Sequence, residues 1–101
     1  EDWAGALNLA LNDLKWDEKS KKFIVWISDS NAHGKRFCGF DNHNEEEIKL
    51  KKLVENMFDQ GINFLGINLI KNNNNKGCEM TLNEMKKFLM DTHQILIIVF
   101  V

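Results

Sequence analysis

Phe23-Ile24-Val25-Trp26-Ile27-Ser28-Asp29-Ser30-Asn31-Ala32-His33-Gly34 is an unbroken apolar run that ends in a carboxylate, small polar residues, a histidine and a glycine. Five consecutive β-branched or aromatic residues, 23–27, predict a strand buried on both faces, as in a parallel sheet, rather than one that alternates between core and solvent. Asp29 then stands at the carboxyl end of that strand. In open α/β sheets ligands bind at this edge, because loops leave a crevice there and helix N-termini direct N–H groups into it. Asp29 therefore marks the expected position of a site.

Working outward, residues 3–16 place Trp3, Leu7, Ala10, Leu11 and Leu14 on one helical stripe, with Asn8, Asn12, Asp13 and Lys15 elsewhere on the wheel. Asp2, with Glu1 before it, can cap this helix and complement its dipole. Residues 17–22 form a short charged turn into the strand. After Gly34, residues 35–47 make a polar loop long enough to be an excursion from the sheet edge, and loops of this kind often carry function. It holds Arg36, Phe37, Cys38, Phe40, Asp41 and His43, and closes on Glu45-Glu46-Glu47, read as the acidic first turn of the next helix. That helix turns Ile48, Leu50, Leu53, Val54, Met57 and Phe58 inward and Lys49, Lys51, Lys52 and Glu55 outward, and Gly61 stops it.

Residues 62–70 read as a second strand in which Gly66 lets a neighbour approach closely. The tract Asn72 to Asn75 reads as an exposed loop of biased composition. Thr81-Leu82-Asn83-Glu84 matches a capping box, with Met80 and Met85 placed as its hydrophobic staple, so a third helix is expected over residues 82–92 with Leu82, Met85, Phe88 and Leu89 packed inward. Residues 95–101 supply a third apolar strand. The order is helix, strand, helix, strand, helix, strand. Helical crossovers between strands build a parallel sheet, so the expected class is α/β, a doubly wound, Rossmann-like, mostly parallel sheet with helices on both faces. Three strands are few for that architecture. Residues 1–101 are accordingly read as a single domain that looks like half of a doubly wound one, with a neighbouring strand absent on at least one side of residues 23–27.

A chain of 101 residues with 28% charged side chains and a net charge of −2 has an ordinary globular composition, without the basic excess of a nucleic-acid binder. No apolar run approaches the roughly 20 residues of a membrane span, and no signal-peptide pattern opens the sequence. Cys38 and Cys78 lack CxxC spacing, which argues against a zinc site, and are expected to be two unbridged thiols in an intracellular, cytoplasmic protein. No phosphate-binding glycine loop, paired catalytic carboxylates or HExxH motif occurs.

The stretch Glu1-Asp2-Trp3-Ala4-Gly5-Ala6-Leu7, the strand ending Ile27-Ser28-Asp29-Ser30, the segment Gly61-Ile62-Asn63-Phe64 and the C-terminal apolar strand together resemble the C-terminal half of a von Willebrand factor A domain. More narrowly, Asp29-Ser30-Asn31-Ala32-His33-Gly34 resembles the Asp-Ala-Pro-x-His-Gly variant of A-type domains from protists and fungi, some joined to alpha-type protein kinases. The resemblance implies a doubly wound sheet whose carboxyl edge carries a metal-ion-dependent adhesion site for Mg²⁺ or Mn²⁺. Asp29 matches that site's third-loop Asp, Glu1 falls at the Thr position, and the Asp-x-Ser-x-Ser loop would precede Glu1. It also implies that Ser30, His33, Gly34 and His43 shape the rim that contacts a protein partner.

Read from the residues alone, Asp29 serves equally well as a carboxylate accepting N–H bonds in its own turn, whereas His33, with no nucleophile elbow beside it, reads as an imidazole fixing the turn before Gly34 and not as a catalyst. Two functions remain open. One is a protein-binding, adhesion-type module with divalent-cation-dependent recognition. The other is part of a metal-dependent enzyme, or a kinase-associated regulatory domain, with Asp29 and His33 in its site.

Overall fold

The structure is a computed structural model that describes residues 1–39, 42–70 and 76–88 and the backbone of 96–100. The expectations for Phe40, Asp41, the Asn72 to Asn75 tract, Leu89 and the end of the third helix therefore lie outside the described residues. The element order is α1 (Trp3–Asn12), β1 (Lys22–Ser28), α2 (Asn44–Asp59), β2 (Ile62–Asn68), α3 (Glu79–Phe88) and β3 (Leu96–Phe100). The strands pair in parallel in the order β1-β2-β3, with Ile24 beside Phe64 and Phe64 beside Leu96. This is an α/β chain with a parallel sheet.

Each element has a local cause. At the start of α1 the Asp2 carboxylate accepts the Gly5 N–H at 2.9 Å, and α1 buries Trp3, Leu7 and Leu11. Removing that cap in Asp2→Ala is expected to cost about 1 kcal/mol, read as a lower urea midpoint with unchanged slope. In α2, Leu50, Val54, Met57 and Phe58 are buried, while Ile48, placed inward by the sequence pattern, is exposed. In β2 the absence of a side chain at Gly66 admits Leu82 of α3, whose Cδ2 would lie 2.7 Å from a Cβ built there. Leu14, also assigned to the inward stripe, lies beyond α1 and is exposed.

The expectation of helices on both faces is corrected. Ile24, Ile62 and Phe64 are buried in one cluster with Trp3 and Leu7 of α1, Leu50 and Val54 of α2, and Leu82 and Met85 of α3. Trp26 joins them, its ring centroid 4.8 Å from Trp3. On the opposite face Phe23, Val25 and Ile27 are 60%, 56% and 60% exposed, so β1 alternates and is not buried on both sides. The reason is strand order. Right-handed crossovers carry helices to the second face only where the order reverses, and β1-β2-β3 advances in one direction. All three helices accordingly pack on one side of the sheet. Among the described residues no helix is long and apolar enough to cross a membrane.

Candidate functional site

β1 ends at Ser28, so Asp29 does open the loop at the carboxyl edge of the sheet. The turn is closed by short-range bonds: Ser28 Oγ donates to Ser30 O at 2.9 Å, Ser30 N donates back to Ser28 Oγ, and Ser30 Oγ donates to Asp29 Oδ1 at 3.2 Å. The start of α1 is fastened to the same loop. Trp3 Nε1 donates to Ser30 O at 3.1 Å, Glu1 N to Asn31 O and His33 N to Glu1 O, each at 3.3 Å. The His33 and His43 rings meet with centroids 4.8 Å apart. Gly34, at φ +110°, packs against Glu47, whose Cγ lies 2.5 Å from where a Cβ would stand. The structure thus gathers Glu1, Ser30, His33, Gly34 and His43 near the end of β1, on the side facing α1 and α2.

A second set of polar contacts, on the α3 side, has no counterpart in the sequence reading. Asn31 Oδ1 accepts both the Thr81 N–H, at 3.1 Å, and the Thr81 hydroxyl, at 2.9 Å, while Ala32 N donates to Thr81 Oγ1 at 2.9 Å. The capping box expected at Thr81 is corrected accordingly. The helix starts at Glu79, so Thr81 lies within its first turn, and an asparagine 50 residues away takes its backbone N–H. Glu84 does not reach back to Thr81. It pairs with Arg36 Nε at 2.8 Å and Lys87 Nζ at 2.9 Å. Burial would raise the Glu84 carboxyl, but the hydrogen bonds from Arg36 and Lys87 prevail and hold it below its ordinary value.

Beneath this lies fully buried Asn68 at the end of β2. Its Nδ2 donates to Lys76 O at 3.0 Å, and its Oδ1 accepts from Cys78 N at 2.8 Å and lies 3.3 Å from Cys78 Sγ. Both thiols are free. Burial, with the Asp29 charge adding to it, pushes the Cys78 thiol up to about 11. Residues 35–39 are pinned from two directions. Phe37 and Cys38 donate their N–H groups to Gly34 O, and Arg36 N donates to Glu47 Oε1 at 2.6 Å. The Phe37 ring is fully buried, edge-on to Phe88, and the Arg36 guanidinium sits 4.5 Å above the Phe88 ring.

Between this pinned loop and α3 opens a crevice of about 720 Å³, within the usual size of a ligand site. Asn31, Cys38, Lys76, Glu79, Met80, Asn83, Glu84 and Lys87 line it, giving amides, two cations, two carboxylates and a thioether on one concave surface, with Glu84 already paired to Arg36 and Lys87. Glu1, Asp29, Ser30, His33, Gly34 and His43 do not line it. A divalent cation of the Mg²⁺ class takes about six oxygen donors, and among the described residues no three of His, Cys, Asp and Glu gather as a metal-holding group. No family model, no curated protein and no solved structure matches this chain.

Proposed function

We propose that this chain is a protein-binding module that takes an acidic partner segment in the crevice between the β1–α2 loop and α3. The observation that carries the reading is the crevice itself, a concavity at the carboxyl edge of a parallel sheet. Its walls are held by Asn31, Thr81, Arg36 and Glu84, and its surface offers Lys76 for a partner carboxylate and half-exposed Met80 for an apolar neighbour. The likeness of residues 29–34 to A-type domains supports the same class, a binding module used at this edge. The carboxylate that such a domain would bring to a divalent cation meets a lysine here.

A fluorescein-labelled peptide alternating Leu with Glu, titrated against the chain with polarisation as readout, tests this. Lys76→Glu is expected to weaken binding about tenfold, equivalent to about 1.4 kcal/mol, and Met80→Asp by a similar factor. A peptide with Gln in place of Glu should bind no better than the variants do. Titrations with Mg²⁺ and with chelator should coincide. Binding that survives both substitutions refutes the crevice, and binding that vanishes with chelator and in Asp29→Ala returns the site to the cation-dependent edge at Asp29 and Glu1.

A further inference from the structure

We propose that two copies of this chain pair antiparallel through the outer edge of β1, forming one continuous sheet. β1 stands at the end of the order β1-β2-β3, so among the described residues no strand covers its outer side. Leu69 N donates to Ser28 O at 2.9 Å, which directs Ser28 toward β2. Because successive residues of a strand point their N–H and C=O groups to alternate sides, residues 24 and 26 also serve β2, while Phe23, Val25 and Ile27 present theirs along the open edge. These are the same three residues whose side chains are exposed on the open face.

A second copy fits this edge better than an arbitrary strand because the sequence is self-complementary about Val25. A two-fold axis there sets Val25 against itself and Phe23 against Ile27 of the other copy, each as a hydrogen-bonded pair of apolar residues. It also sets Lys21 against Asp29 at both ends. A register shifted by two residues loses this match, placing Phe23 against Asp29 or Lys21 against Ile27. Residues 23–27 carry no proline and no charge, the usual guards against edge pairing.

Sedimentation velocity of the full chain is the test, with a dimer at high concentration that dissociates on dilution as the expected result. Val25→Pro removes an N–H that faces away from β2, so it should give a monomer with the parent circular dichroism. Val25→Lys, which sets like charges opposite each other on an exposed position, should do the same and covers the possibility that the proline variant unfolds. Lys21→Glu should weaken the dimer about tenfold, and adding Asp29→Lys should restore it. A wild-type chain that stays monomeric, a folded Val25→Lys chain that stays dimeric, or a charge swap that fails to rescue overturns the proposal.

Discussion

Phe37→Ala is expected to lower the unfolding free energy by about 4 kcal/mol and the melting temperature by roughly 20 °C. The ring has no exposed surface and belongs to the core cluster, yet it is carried by a loop, so its removal leaves a void where the 35–39 segment packs against Phe88 of α3. The loop gives way first. Phe37 and Cys38 hydrogen-bond to Gly34 O, and with the ring gone these bonds no longer rest on a packed side chain. Hydrogen exchange at Cys38 should therefore accelerate more than exchange at Ile24 or Phe64, and the crevice should lose its wall. A loss below about 1 kcal/mol, or uniform acceleration across the chain, would show that the ring does not anchor the loop.

Gly77→Val is expected to cost about 3 kcal/mol by two separable routes. Gly77 sits at φ +63°, where a β-branched residue is strained by about 1–2 kcal/mol. Its Cβ would also collide with Asn68 Oδ1 and stand 2.7 Å from Leu69 O, forcing the buried amide off Cys78 N. An unsatisfied buried donor adds about 1–3 kcal/mol. Gly77→Asn separates the routes, since Asn tolerates the left-handed region but still carries the offending Cβ. Urea denaturation of both variants should show valine worse than asparagine and both well below wild type. Asparagine at wild-type stability would place the whole cost in the backbone and none in the Asn68 contact.

What could be read from sequence was whatever has a local period or a local turn. The alternation of helix and strand, the Asp2 cap, the stop before Gly61 and the close approach at Gly66 all follow from residues within a few positions of one another. The face that the helices cover did not follow. An apolar strand such as residues 23–27 is compatible with either one or two covered faces, and strand order, which decides between them, is a non-local property. The site shows the same division. Asp29 was placed at the strand end by pattern alone, whereas Asn31, Asn68 and Thr81 look like ordinary turn and cap residues. Their roles depend on partners in other elements, in the case of Asn31 and Thr81 across 50 residues of chain. Glu47 is similar. It reads as a carboxylate complementing a helix dipole, and it does stand in the first turn of α2, but it also takes the Arg36 N–H and so ties down the excursion loop.

The unequal surroundings of the two thiols make the crevice chemically addressable without engineering. Burial raises the Cys78 thiol to about 11, so it stays protonated at neutral pH, and it is shut away from reagents as well. Cys38 is partly open and stands on the crevice wall. A maleimide dye applied briefly to the native chain will therefore mark the wall at Cys38 and spare Cys78 in the core. The molecule carries its own attachment point for an optical probe of whatever enters.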